Sequence, residues 1–248
     1  MAEPWNLRKP AARTADTIET YIIFCEDEHH EPAYFKTLQT TGKVKINTIG
    51  NQKQSKLNLN NTIQYCYDNG LMEFDAGGYR PKQGITEQIW CVYDRDLEST
   101  NLVTITAANN VNFDTAIQTA QNAGIKVAWS NDAFELWILL HFEDVPAAQM
   151  LHREYIYSRL TEVLKVIQPR TADLDALTSN VQFGYKTAIK KRLRFDNFVL
   201  PFLKSRSADA VQRAEKLAAT FGAQIRYHER NPCTMVHLLV ESILTAQR

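Results

Sequence analysis

The chain has 248 residues, with 28 Lys/Arg balanced by 28 Asp/Glu, so it can bury a substantial core in one large domain or two modest ones. An apolar fraction of 44% argues against bulk disorder, and no apolar run is long enough to cross a membrane. The four cysteines, Cys25, Cys66, Cys91 and Cys233, show neither CxxC nor zinc-site spacing, which points to a reducing, cytoplasmic setting.

Residues 1–18 carry two prolines and several charges but no apolar signal-peptide core, and read as a tail rather than a secretory signal. Residues 20–25 form a β-branched and aromatic run that predicts a first buried strand. Pro32 is placed like a first-turn helix proline, with a short helix over 33–38. The alternation of residues 44–49 predicts a second strand. A helix is expected from about Leu57 to Asp68, stopped by Asn69-Gly70, and the glycine- and proline-rich residues 71–87 read as a loop. Residues 88–94 form a third apolar strand, 113–122 a helix with a Gly124 stop, and 125–129 a fourth strand. The β-α-β-α-β-α-β order predicts an α/β fold with a parallel sheet flanked by helices. Asp132 to Phe142 reads as a helix, with Asp132 and Glu135 at capping-box spacing. Beyond Leu151 only helical periodicity is visible. One stripe runs Ile156, Leu160, Val163, Leu164 and Ile167. A second helix covers Ala208 to Phe221, and a third starts at Asn231-Pro232 with Val236, Leu239, Val240 and Ile243 inward. The layout expected is a tail (1–18), an α/β domain (19–145) and a C-terminal helical region (146–248).

Two acidic clusters stand directly after apolar strands. Glu26-Asp27-Glu28 follows the first, and Asp94-Arg95-Asp96 the third. Ligands of parallel sheets gather beyond the carboxyl ends of the strands. Carboxylates brought together there stay ionised mainly around a divalent cation. Asp94 and Asp96, two apart on extended chain, project the same way and suit Mg²⁺, which takes a few carboxylates plus water and phosphate oxygens. A solvated turn is the plainer reading of the same two residues. Glu26 could complete a metal site or transfer a proton. Asp27, Glu28 and Glu31 are weaker candidates, and Glu31 best fits an acid complementing a helix N-terminus. His29 and His30 read as surface residues, His141 as a packed one, and Glu135 as a capping acid or a further site carboxylate. Residues 1–150 carry 12 Lys/Arg against 19 Asp/Glu, whereas residues 151–248 carry 16 against 9. The basic half could hold a polyanion on which the acidic half acts, or the imbalance could be chance variation on solvated faces. The densest cations, Lys186, Lys190, Lys191 and Arg192, could grip a phosphate backbone or line a solvated helix.

The segments Ile22 to Phe35, Trp90 to Asp96, Val127 to Trp137 and Asn231-Pro232-Cys233-Thr234, in this order, resemble the motifs of the RloB family, which belongs with Toprim-type proteins, over about Tyr21 to Ile243. The resemblance implies a Toprim-like core in which Glu26, Asp94 and Asp96 gather Mg²⁺ (or Mn²⁺), with Glu135 near the site. It further implies nuclease activity on nucleic acid, a bacterial anti-phage or restriction-linked role and an ATPase partner protein. Asp27 stands where the family usually has Gly, which would permit a positive-φ turn. A non-catalytic module binding nucleic acid or an ATPase partner, with a degenerate metal site, is the alternative. A haloacid-dehalogenase-like phosphatase also places DxD after a strand, but Leu97-Glu98 replaces its usual small or hydroxyl pair.

Overall fold

A computed structural model describes residues 18–50, 59–101 and 104–248. The expected tail, Ile18 apart, and the expected helix start at Leu57 lie outside them. The parallel sheet is built as the apolar runs dictate. Its strands are β1 (Glu19–Phe24), β2 (Val44–Ile49), β5 (Gln88–Asp94) and β6 (Lys126–Asn131), joined through α1 (His30–Thr37), α2 (Leu59–Asp68) and α3 (Ala107–Asn122). A short strand, β7 (Cys233–Thr234), adds antiparallel to β6, giving the order β2-β1-β5-β6-β7. The architecture is thus α/β with a mostly parallel five-stranded sheet. Because β1 is flanked by β2 on one side and β5 on the other, strand order reverses between β1 and β5. A crevice opens beyond the strand ends at such a switch point, and β1 leads there into Glu26 while β5 ends on Asp94.

Each strand divides its side chains between two cores, because successive residues face opposite sides of the sheet. Tyr21, Ile23, Trp90, Val92 and Ala128 pack on one side with α1, with α4 (Glu135–Leu140), and with the C-terminal helices α5 (Arg153–Val166), α9 (Ser207–Ala218) and α10 (Val236–Ala246). Ile22, Phe24, Cys91, Val127 and Trp129 pack on the other with Leu59, Ile63, Phe113 and Ile117 of α2 and α3. Ile156, Leu160 and Leu164 form the buried stripe expected on α5. All four cysteines are buried free thiols, acting as small apolar residues. Among the described residues no helix is long and apolar enough to cross a membrane.

Several local expectations need correction. Residues 71–87 are not all loop. Met72–Asp75 (β3) and Gly78–Pro81 (β4) form an antiparallel hairpin, closed by Ala76 and Gly77 at φ 49° and 83°. Gly77, taken as a loop signal, supplies with Ala76 the left-handed turn that a two-residue hairpin requires. Helix α3 starts at Ala107, six residues early, with the Thr106 hydroxyl accepting from Asn109 N; no apolar residue larger than alanine marks its first turn. Asp132 caps no helix, because β6 runs on to Asn131 and α4 begins only at Glu135. Asn231-Pro232 starts no helix either. The Asn231 side chain binds Leu151 N and O and Asn131 Oδ1, and the chain then adds β7 to the sheet before α10 begins at Val236.

Candidate functional site

The turn after β1 folds back on itself through two carboxylates. Asp27 Oδ1 accepts from His29 N and His30 N, which caps the entry to α1 with an acid, as a helix N-terminus favours. Asp27 therefore performs a turn function without the positive φ that Gly would allow. Glu31 does stand in the first turn of α1, as an acid complementing a helix N-terminus would, but it turns inward. It is 2% exposed, and its Oε2 accepts from Glu26 N at 2.8 Å and Asp27 N at 3.4 Å. His30, read as a surface residue, is buried against the Phe195 ring with Nδ1 3.6 Å from Asp27 Oδ2.

The end of β5 meets this turn. Glu26 Oε2 accepts from Asp94 N at 3.0 Å, and Asp94 Oδ2 accepts from Phe134 N at 2.9 Å. Asp94 Oδ1 is buried without a hydrogen-bond partner. Asp96, exposed and at φ 52°, adds its charge to the same group. The crowding raises proton affinities. Burial and then the Asp96 charge push the Glu26 carboxyl up to about 8. Burial first, then the charges of Glu26 and neighbouring carboxylates, push both Asp94 and Glu31 well above the carboxylate range. Glu26, Asp94 and Asp96 border a cleft of about 270 Å³ whose other wall includes Asn109, Asn112 and Phe113. Sequence reasoning thus put three of the four converging carboxylates first and ranked Glu31 below them, as better suited to a helix N-terminus.

The cluster consists of hard oxygen donors, with one buried acceptor left unmatched, and so fits a hard cation. No group of three or more His, Cys, Asp or Glu side chains among the described residues is already spaced to hold a metal ion. A cation here would take one or two carboxylates and complete its shell with water and phosphate oxygens, the usual manner of Mg²⁺.

Glu135 is bonded to none of these carboxylates. It is nearly buried in the first turn of α4, and its Oε1 meets Lys190 Nζ at 2.8 Å. Lys190 also donates to Tyr157 Oη at 3.1 Å. Lys186 pairs with Glu154, and both ammonium groups sit over the Tyr157 ring, at 5.8 Å for Lys186 and 5.1 Å for Lys190. The two lysines do share a face, although the turn that carries Lys186 and ends just before Lys190, Tyr185–Ile189, is π-helical. Lys191 and Arg192 are exposed at the start of α7 (Arg192–Phe198).

Two residues beside the cluster gave no sequence signal for their role. Asp132, 3% exposed, accepts from Leu97 N at 2.7 Å, from Arg153 Nη2 at 2.6 Å and from Arg153 N and Nε at 2.9 and 3.0 Å. Arg153 Nη1 in turn pairs with Asp96 Oδ1. Asp132 stood beyond a strand end, as Asp94 does, but the capping pattern with Glu135 hid it. Arg153 lies 57 positions from Asp96, and no local pattern links the two.

A family model described as RloB-like protein matches residues 21–243, nearly the whole chain, and the chain belongs to that family. No curated protein and no solved structure matches it.

Proposed function

We propose that this RloB-like protein is a Mg²⁺-dependent (or Mn²⁺-dependent) Toprim-type nuclease that hydrolyses DNA or RNA phosphodiesters, acting in the cytoplasm in bacterial anti-phage defence. The observation that carries the reading is the meeting of Glu26, Glu31, Asp94 and Asp96 at the β1/β5 switch point, where burial and neighbouring charges hold the proton affinities of Glu26, Glu31 and Asp94 up and Asp94 Oδ1 lacks a partner. A bound divalent ion supplies Lewis-acid polarisation of a phosphoryl oxygen and a more acidic attacking water. Asp94 and Glu26 would hold the ion, with Asp96 at the open edge. Hydrolysis joins the water oxygen to phosphorus and breaks the bond to the leaving oxygen. The water proton passes to a carboxylate of the cluster, and the leaving oxygen is protonated from solvent. Lys186, Lys190, Lys191 and Arg192 would retain the backbone by charge rather than by base sequence. Purified protein incubated with DNA and RNA, with and without Mg²⁺ or Mn²⁺, should cleave at least one substrate only with metal. Cleavage undiminished in Asp94→Ala refutes the assignment.

The second reading, a non-catalytic module binding nucleic acid or an ATPase partner protein, draws on Arg153's hold on Asp96 and on there being no ready-made ligand cage among the described residues. Calorimetric titration separates the two. Nucleic-acid or partner binding without any divalent-ion binding favours the module.

A further inference from the structure

We infer that Arg153 is the residue that receives a substrate phosphate at this site, and that Asp96 occupies its phosphate-binding edge in the resting protein. The inference deepens the nuclease reading and rests on it.

The guanidinium is held from behind. Asp132 takes Nε and Nη2 on its two oxygens, the bidentate fork that an arginine and a carboxylate form best. Its Oδ2 also takes the Arg153 backbone N–H, and Leu97 N fixes its Oδ1. With that edge fastened to a buried acid, the guanidinium cannot swing, and its Nη1 side faces the carboxylate cluster. Arg153 and Asp96 both act electrostatically on Glu26, which places this edge at the border of the group. Its present occupant is easily moved. The Asp96 side chain is 57% exposed, and an ion pair of that exposure is weak because water screens it. An arginine edge matches phosphate oxygens as well as it matches a carboxylate. A phosphate entering the cleft would therefore displace Asp96 from Arg153 and leave the Asp96 carboxylate turned towards the cluster.

The test is a double-mutant cycle on binding, in EDTA and at low salt so that neither metal nor cleavage intervenes. The probes are a fluorescein-labelled single-stranded oligodeoxynucleotide and its RNA counterpart, read by anisotropy. Asp96→Asn should tighten binding roughly three- to tenfold. In an Arg153→Lys background, which keeps a cation beside Asp132, that gain should fall below about twofold. An Asp96→Asn protein that binds no tighter, or an equal gain in both backgrounds, overturns the inference while leaving the nuclease reading intact. Failure of every variant to bind either probe overturns both. Should Arg153→Lys unfold, the unmutated protein gives the answer. Its Arg153 side-chain NMR resonances should move on titration with inorganic phosphate, and resonances that stay put count against the assignment.

Discussion

Replacing Glu26 by glutamine should stabilise the metal-free protein, and only on the alkaline side. Glu26 lies half-buried at the switch point, with Asp96 nearby and its Oε2 accepting from Asp94 N. Its proton affinity stands at about 8 rather than 4.5. A folded pKa above the unfolded one means that the native state binds the proton more tightly. The stabilisation is complete below pH 4.5 and is lost as pH rises through about 8. At ~1.36 kcal/mol per pH unit, the loss has a ceiling of about 5 kcal/mol. Solvent screening of a half-buried group brings the expectation to roughly 2–3 kcal/mol. Glutamine copies the protonated form in shape and can still accept from Asp94 N, so its stability carries no such slope. Urea unfolding in EDTA at pH 4, 6, 8 and 9 should show the two proteins nearly equal at pH 4 and Glu26→Gln ahead by that margin at pH 9. A difference that is constant across pH, or a wild type that is the more stable at pH 9, refutes the claim that this carboxylate is held against its charge.

The same crowding predicts that Mg²⁺ in ~10-fold excess over its Kd raises the melting midpoint at pH 8 by roughly 3–6 °C. Asp94→Asn should abolish the shift, and no shift in the wild type rules out a divalent site. Lys190→Met strands the nearly buried Glu135 carboxylate and should cost about 1–3 kcal/mol in urea unfolding. Adding Glu135→Gln should recover most of it, and a double variant as unstable as the single would show that the pair is not the cause. His141 is buried between Tyr34 Oη and Trp137 O, and burial lowers its pKa to about 4. A depressed histidine pKa stabilises above 6.5 and fades as pH falls to 4, a loss of about 3 kcal/mol. His141→Gln should flatten that stretch of the pH–stability curve, and an unchanged slope assigns the acid sensitivity elsewhere.

The sheet was legible because burial on both faces turns β1, β5 and β6 into nearly continuous apolar runs and half-burial makes β2 alternate, and four such strands separated by helix-length segments admit few topologies. What escaped obeys other rules. The β3–β4 hairpin is short and exposed, so only its turn residues mark it, and Gly77 is as good a sign of a loop as of a two-residue turn. Strand β7 has two residues and owes its place to Asn231, whose side chain ties Leu151 to Asn131. An asparagine before a proline looks the same whether it caps a helix or bridges two loops.

The candidate site divides along the same line. Glu26 and Asp94 could be named because a carboxylate at the end of a buried strand has its position set by the strand, and Asp96 because it lies only two residues further on. Glu31 is only five residues from Glu26, yet its direction depends on how tightly the intervening turn closes, and the Asp27 bonds to His29 N and His30 N close it enough to turn Glu31 inward. The cations obey no local rule. Arg153 and Lys190 arrive from the helical half, steered by packing of α5 on the sheet and by the buried acids Asp132 and Glu135 that hold them. A switch-point site can thus draw its negative groups from strand ends, where sequence shows them, and its positive groups from wherever the chain returns. That asymmetry makes the acidic half of the chemistry readable in advance. It also makes the identity of the phosphate-facing cation a property of the tertiary fold.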